Sequence, residues 1–194
     1  MAPNLAVAED GAVVMTWLAP AATKGHTLFF ARFANEAWSE PRTIASGTNW
    51  FVNFADVPSI AVMRDGMLAA HWLANHVPGT EGAEIQIAFS RDHGATWSVP
   101  VVPHRDRSTY QHGFVSLVPL SSGELQAVWL DGRNTQGEGH GDMALMQTTI
   151  AADGSVGSDA PLDTRVCDCC ATSAAATPDG VVVVYRDRSD QEGE

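Results

Sequence analysis

The stretch Leu5-Ala-Val-Ala-Glu-Asp-Gly11-Ala-Val-Val-Met-Thr-Trp17 joins two apolar segments through a glycine-containing turn, and the second segment ends in an aromatic residue. This pattern predicts a β-hairpin, because an Asp-Gly or Ser-Gly turn supplies the positive φ that tight hairpins need. The same pattern returns at Ile60–Trp72, Leu117–Trp129 and Ala174–Tyr185, the last copy being one residue shorter after its glycine. The chain is therefore built on an internal repeat.

The repeat has a period of about 56 residues, since the turn glycines at 11, 66, 123 and 180 are spaced by 55, 57 and 57 residues. That is too long for one hairpin, and the first three copies continue into two more strand-like segments. These are Thr27–Phe33 with Trp38–Pro41, Glu84–Phe89 with Trp97–Pro100, and Ala144–Ile150 with a weaker last strand near Val156. Units of four antiparallel strands at this period predict the blades of a β-propeller.

We therefore expect an all-β chain of three four-stranded blades and the first hairpin of a fourth. The blades are expected at about 2–45, 57–103 and 114–163, and the hairpin at about 172–186. Propellers typically close a ring of about four to eight blades, which hides their strand edges. The sequence thus predicts either a fragment of a longer protein or partner chains that supply the missing blades, and the fragment is favoured.

A second motif lies in the turn at Ser90-Arg-Asp-His-Gly-Ala-Thr-Trp97. An Asp in such a turn can accept hydrogen bonds from the backbone N–H groups that follow it. All fixed positions of the S-x-D-x-G-x-T-W pattern are present, so the turn resembles the Asp box, or BNR repeat, of sialidases and related propellers. They are Ser90, Asp92, Gly94, Thr96 and Trp97. We expect them to hold the hairpin and to do no chemistry, because Asp boxes also occur in propellers that catalyse nothing.

Further stretches resemble exported, sialidase-like bacterial proteins often labelled exo-α-sialidases. They are Trp50–Pro58, Ala69–Trp72, His112–Ser116, Val128–Arg133, Val166–Cys170 and Val184–Ser189. The resemblance covers nearly the whole chain and implies a six-bladed propeller, of which about three and a half blades are present. It also implies a periplasmic or secreted location, although Met1–Val7 lacks the basic and apolar regions of a signal peptide.

Sialidases use arginines for the substrate carboxylate, an Asp as acid/base and a Tyr nucleophile helped by a carboxylate, unlike the usual pair of catalytic carboxylates. The resemblance implies that Asp56, in the link between the first two blades, is the acid/base. The family's Arg-x-Pro signature is absent, since Ala2-Pro3-Asn4 stands in its place. The Tyr nucleophile and most of the arginines belong to later blades of the family, so the catalytic set is expected to be incomplete here.

Two hypotheses of function follow. The first is a sialidase-like glycoside hydrolase that acts on sialic-acid-containing or related acidic glycans, which the family label favours. The alternative is a non-catalytic propeller that binds a glycan, a protein or a metal ion, which the missing signature favours. A formal net charge of −12 argues against nucleic acid and anionic membranes as partners. No apolar run reaches the roughly 18 residues of a membrane span.

Blade geometry predicts where a ligand binds. The links between blades and the loops between second and third strands share one side of a propeller, which we call the link face. Six of the eleven basic residues and several histidines fall there: Arg105, Arg107, Arg133, Arg165, Arg186, Arg188, His76, His104, His112 and His140. This predicts an anionic or polyhydroxylated ligand. The alternative, that each arginine pairs with a nearby carboxylate, stays open; the candidates are Asp106, Asp131, Asp168, Asp187 and Asp190.

The candidate ligand-binding residues are Trp50, Asn53, Arg107, Tyr110, His112, Arg133, Arg165, Arg186 and Arg188. Trp50 has no place in the repeat, so it either stacks on a sugar ring or anchors a buried loop. The other five tryptophans occupy repeat positions and are expected to pack within blades: Trp17, Trp38, Trp72, Trp97 and Trp129. His71, beside Trp72, is expected to be a hydrogen-bonded histidine at the rim.

Cys167-Asp-Cys-Cys170 occupies the link that enters the fourth blade, equivalent by the repeat to Asn53–Asp56. Three soft ligands so close together suit Cu(I) or Zn(II), with an imidazole or water completing the site. A disulfide from Cys167 to Cys169 or Cys170, with one thiol left free, competes with a metal in an oxidising compartment. Three packed thiols are the third alternative. The disulfide and the packed thiols rank above the metal, and no cofactor is firmly predicted.

Overall fold

The structure is a computed structural model that describes residues 3–75, 82–135 and 142–188. The candidate residues His76, His140 and Asp190 lie outside the described residues. The strands are β1 (Asn4–Val7), β2 (Val13–Pro20), β3 (His26–Ala34), β4 (Ala37–Trp38), β5 (Arg42–Gly47), β6 (Ile60–Val62), β7 (Leu68–Asn75), β8 (Ala83–Ser90), β9 (His112–Pro119), β10 (Leu125–Asp131), β11 (Met143–Ile150), β12 (Ala160–Val166), β13 (Ser173–Thr177) and β14 (Gly180–Val184). One 3-10 turn, Arg64–Gly66, is the helical structure found in these ranges.

The strands form four antiparallel sheets that follow one another along the chain. The first holds β1, β2 and β3, with β4 and β5 both paired to β3, and the second holds β6, β7 and β8. The third runs β9-β10-β11-β12, and the fourth is the β13–β14 hairpin. The all-β prediction is confirmed, and no helix in the described ranges has the length and hydropathy to cross a membrane. Closure into a six-bladed ring stays a prediction.

The last strand of a unit is where the sequence prediction is wrong. In the second sheet the segment Trp97–Pro100 loses regular strand pairing: the Ser98 N–H still donates to the Phe89 carbonyl (2.8 Å), and Val101 forms an isolated bridge with Ile87. Pro100 has no N–H to donate to a ladder, which explains the loss. In the third sheet Val156 forms only an isolated bridge, and the strand itself is β12.

The hydrophobic core lies between consecutive sheets. One cluster joins the first and second sheets, another the second and third, and the last the third and fourth. Their central members are Leu28, Phe30 and Trp72; Ile87, Leu125 and Trp129; and Phe114, Leu145 and Val183. Trp72 and Trp129 therefore pack against the preceding sheet. Trp17 is only half-buried and stacks on Phe29, with 5.8 Å between ring centroids.

The first strands of the sheets, β1, β6, β9 and β13, are neighbours in space. Together with Ser59 and Thr172, which directly precede β6 and β13, they line a cavity of about 360 Å³. Because each sheet turns its first strand toward its neighbours, the four sheets are arranged around a common centre. This places the links before β6, β9 and β13 close to that centre.

The turn at Ser90–Trp97 is closed by its own side chains. The Asp92 carboxylate accepts hydrogen bonds from the Thr96 backbone N–H (2.9 Å) and from the Thr96 hydroxyl (2.6 Å). Ser90 Oγ donates to Asp92 (2.8 Å) and accepts from the Gly94 N–H (2.7 Å). Gly94 has φ +84° and faces Phe30 so closely that a Cβ there would lie 2.1 Å from the ring. The turn thus also docks on the first sheet.

Replacing Asp92 by Ala is expected to lower the midpoint of thermal unfolding at pH 7 by a few degrees. The side-chain and then the backbone hydrogen bonds from Thr96 lower the Asp92 pKa from 3.8 to about 2. Its stabilising contribution is therefore present above about pH 4 and is lost as the pH falls toward 2. Circular dichroism melts of both proteins across this range measure the effect. A variant that melts like the wild type at pH 7 contradicts it.

Candidate functional site

Asp56 is positioned by the link that enters the second sheet. This link runs alongside the end of β7, where the Phe51 N–H donates to the Leu73 carbonyl (3.1 Å). Asn53 then closes a turn, because its side-chain Oδ1 accepts from the backbone N–H groups of Ala55 (2.8 Å) and Asp56 (2.7 Å). The turn directs the Asp56 side chain inward, toward the start of β9.

The Asp56 carboxyl is enclosed by the third sheet and is only 4% exposed. Its Oδ2 accepts a hydrogen bond from the Phe114 N–H (2.7 Å), and Phe114 has φ +52°. Gly113 leaves room for it, since a Cβ there would lie 2.1 Å from Oδ2. Burial raises the pKa of Asp56 to about 6, against the opposing effect of the Phe114 N–H. A carboxyl that holds its proton close to neutral pH has the property of a general acid.

His112 lies between two carboxylates at the start of β9. Its Nε2 is 3.1 Å from Asp106 Oδ2 and 3.6 Å from Asp131 Oδ1, and its Nδ1 is 3.1 Å from the Ala83 carbonyl oxygen. Both ring nitrogens therefore face acceptors, an arrangement that the imidazolium form satisfies. The His104 ring stacks on His112 with 3.9 Å between centroids. Burial, and then the charge of His112, lower the His104 pKa to about 4.

Asp131 is fully buried and accepts hydrogen bonds at both oxygens. Oδ1 accepts from the Arg133 backbone N–H (3.0 Å) and Nε (2.8 Å). Oδ2 accepts from Arg133 Nη2 (2.7 Å) and from the Trp129 indole N–H (2.8 Å), and Arg133 also binds Asp159 (2.7 Å). Burial acts to raise the Asp131 pKa, but the Arg133 hydrogen bonds and the His112 charge hold it below its usual value.

Asp106, His112 and Asp131 have ligand atoms close enough together to hold a metal ion. However, the Asp131 oxygens already accept hydrogen bonds from Arg133 and Trp129. The Arg133 guanidinium is so close that its positive charge would repel a metal cation. Asp106 also accepts from the Ser108 backbone N–H and hydroxyl. We therefore interpret this group as an ion-pair network that ties the link before β9 to the end of β10.

Several arginines of the link face lie close to carboxylates. Arg133 binds Asp131 and Asp159 (each 2.7 Å), and Arg107 Nη1 lies 3.7 Å from Glu84. At Asp142 Oδ1, Arg165 Nε lies 3.2 Å away and Arg188 Nη1 4.0 Å away. Arg186 Nη1 is 4.0 Å from Cys170 Sγ. Arg133 therefore fits the alternative in which each arginine pairs with a nearby carboxylate. The contacts of Arg107 and Arg188 with carboxylates are longer.

Trp50 packs against Trp72 with 5.6 Å between ring centroids, in the core between the first two sheets. This contact agrees with the loop-anchor alternative; a role in sugar binding stays a prediction. Phe54, in the same link, is 92% exposed. Its exposure was not predicted, because nothing in its sequence motif distinguishes it from a packed aromatic residue. Tyr110 is half-buried beside Gly132.

His71 is wholly buried, which corrects its expected position at the rim. Its Nδ1 contacts the Ser59 hydroxyl (2.8 Å) and N–H (3.1 Å), and its buried Nε2 has no hydrogen-bond partner among the residues that the structure describes. Burial lowers the His71 pKa to about 3, so the ring is neutral. The sequence analysis also missed Asp163, whose Oδ2 accepts from the Tyr185 hydroxyl (2.7 Å).

The cysteine link contains a disulfide between Cys167 and Cys170, one of the two pairings expected from the sequence. Cys169 is free and exposed, and its Sγ lies 3.8 Å from Cys167 Sγ. The base of the link is held by the segment after β14, because the Cys167 N–H donates to the Arg186 carbonyl (3.0 Å). The sulfur atoms thus sit in a loop whose first residue is fixed.

No protein-family model matches the chain, and no curated protein matches it in sequence. Similar solved structures include a protein of unknown function from Dyadobacter fermentans (TM-score 0.64, 15% identity, 97% of this chain and 62% of that one). The Hadza microbial sialidase Hz136 aligns with TM-score 0.58 and 20% identity over 91% of this chain and 36% of its own. An α-L-arabinofuranosidase from Fusarium graminearum aligns with TM-score 0.62 and 12% identity over 94% of this chain and 58% of its own.

At these identities the likeness is one of fold: the chain shares the fold of propeller-type glycoside hydrolases. The chain spans between 36% and 62% of the length of these three proteins. A fold hosts many chemistries, so activity has to be argued from the side chains.

Proposed function

We propose that the chain is part of a sialidase-like glycoside hydrolase that acts on sialic-acid-containing or related acidic glycans. The observation that supports this is Asp56: a buried carboxyl with its pKa raised to about 6. It lies in the link where the sialidase resemblance expects the acid/base, within a fold shared with glycoside hydrolases.

In this proposal Asp56 donates its proton to the glycosidic oxygen as the bond to the leaving group breaks. It then takes a proton from the water that releases the product. Burial keeps the proton on Asp56 at mildly acidic pH. The nucleophile and the main arginine clamp of sialidases lie in later blades, which the rest of the chain or another chain supplies.

For an acidic substrate, Arg188 is better placed than Arg133 to bind the carboxylate. Arg133 is committed to two carboxylates at 2.7 Å, whereas Arg188 lies 4.0 Å from Asp142. Loose, partly exposed ion pairs contribute about 0–1 kcal/mol, so a substrate carboxylate can replace them. We place the protein in the periplasm or outside the cell, on the family resemblance alone.

The test uses the longest protein that contains this chain, assayed against 4-methylumbelliferyl glycosides of sialic acid and of α-L-arabinofuranose. We expect release from the sialoside, with kcat/KM falling as the pH rises above about 6, where Asp56 loses its proton. Turnover of the arabinofuranoside alone refutes the acidic substrate and keeps a glycosidase. No turnover of either leaves the non-catalytic binding propeller as the function.

A further inference from the structure

We propose that the link Cys167–Cys170, once its disulfide is reduced, binds one Cu(I) ion through three thiolates. This site is independent of the glycosidase proposal, because its three ligands, the cysteines, are not among the residues assigned to substrate or to proton transfer. Reduction of the disulfide opens the site, and re-oxidation closes it.

The spacing of the sulfur atoms supports a shared metal. Metal–thiolate bonds of about 2.3 Å place two sulfurs on one ion about 3.8–4.0 Å apart. The Sγ atoms of Cys167 and Cys169 already lie 3.8 Å apart, and all three sulfurs lie within 4.8 Å of one another. Reduction of the disulfide then lets Cys170 move away from Cys167 to complete a triangle.

The surroundings of the link suit a cluster of thiolates. The Cys167 N–H is fixed by the Arg186 carbonyl, and a bridge between Val166 and Asp187 holds the strand end beside it. Because the first ligand is already fixed, metal binding loses less conformational entropy. Arg186 Nη1 lies 4.0 Å from Cys170 Sγ, so a cationic side chain borders the sulfur cluster.

The donor set favours Cu(I) over Zn(II). Thiolates are soft ligands that select Cu(I), which three sulfurs can satisfy, whereas structural zinc takes four ligands. Among the described residues, no histidine or carboxylate joins the three cysteines within the same 4.8 Å limit. A site of three sulfurs is therefore expected to bind the monovalent ion.

The disulfide makes the site dependent on redox state. A dithiol reductant transfers two electrons and two protons to the Cys167–Cys170 disulfide, yielding two thiols, and itself becomes a disulfide. Cu(I) then replaces the three thiol protons, forming three copper–sulfur bonds with the release of three protons. With the disulfide intact, Cys169 alone can offer a thiolate, and a single thiolate binds weakly.

The test titrates the protein with Cu(I) in competition with bathocuproine disulfonate, before and after reduction by a phosphine that is then removed. We expect the reduced protein to take up one Cu(I) per chain, and at least ten times less copper uptake in the oxidised protein. Cys169→Ser keeps the disulfide pair but removes the third ligand, so its reduced form should bind at least ten times more weakly. Asp168→Asn, in the same loop, is the matched control and should bind as the wild type does.

X-ray absorption on the copper-loaded protein is expected to give three sulfur neighbours at about 2.3 Å. Equal copper uptake before and after reduction overturns the proposal, as does wild-type binding by Cys169→Ser. Displacement of the copper by equimolar Zn(II) overturns the choice of ion. Circular dichroism of the reduced protein is recorded with each titration, and copper uptake only by unfolded protein also counts against a built site.

Discussion

Replacement of Asp131 by Ala is expected to lower the free energy of unfolding by about 3–5 kcal/mol, the cost of breaking a buried ion pair by removing one partner. The change removes one of the two carboxylates that bind the Arg133 guanidinium and the acceptor of the Trp129 indole N–H, and His112 loses one of its two carboxylates. Urea unfolding followed by tryptophan fluorescence measures the loss. Because the Asp131 pKa lies below 3.8, its contribution is present above about pH 4 and is lost as the pH falls further.

The matched control is Glu84→Gln, which removes the partner of Arg107 at 3.7 Å. The Arg107 side chain is 69% exposed, so solvent screens this pair and the loss should stay below about 1 kcal/mol. If Asp131→Ala lowers the free energy of unfolding no more than this control does, the ion-pair network does not stabilise the fold as proposed. Asp131→Asn keeps the shape but not the charge and should fall between the two.

Replacement of Asp56 by Asn is expected to reduce kcat on the cleaved glycoside by about 10²–10⁴-fold, since general acid–base catalysis contributes that much. Asn fills the same space, but its amide has no acidic proton to transfer to the glycosidic oxygen. The measurement is steady-state kinetics on the longest protein that contains the chain. Asp65→Asn, in the hairpin turn on the opposite side of the sheets, keeps a residue that tolerates its φ of +58° and should leave kcat unchanged.

Stability distinguishes lost chemistry from lost folding in this variant. Burial raises the folded-state pKa of Asp56 above 3.8 to about 6, so ionisation destabilises the fold as the pH rises between these values. The neutral Asn variant should thus be at least as stable as the wild type at pH 7, with the difference shrinking below about pH 4. Wild-type turnover in the variant excludes Asp56 as the acid/base.

The repeat made most of the fold predictable from the sequence. Turn glycines, apolar strands and closing aromatic residues identified the hairpins, because these features act within a few residues of one another. The ends of the units were less predictable. Pro100 interrupts the last strand of the second sheet, where an isolated bridge joins Ile87 and Val101. The position of β12 depends on its partner strand β11, which the local sequence pattern does not reveal.

The candidate site was predictable in its location but not in its pairings. The repeat placed Asp56, His112 and the cysteines in equivalent links near one centre. Their partners come from elsewhere: Asp56 is buried by residues that follow the next link, and Asp159 joins Arg133 from 26 residues away. Such contacts depend on how sheets pack, and a single sequence does not contain that information.

The location of the core between consecutive sheets has a consequence for synthesis on the ribosome. Each sheet after the first buries one apolar face against the sheet made just before it, so a folding partner for that face is already present when the sheet leaves the exit tunnel. At about 5–20 residues per second, a unit of about 57 residues emerges every ~3–11 s. The chain can therefore assemble vectorially, one sheet docking on the last, without waiting for distant segments.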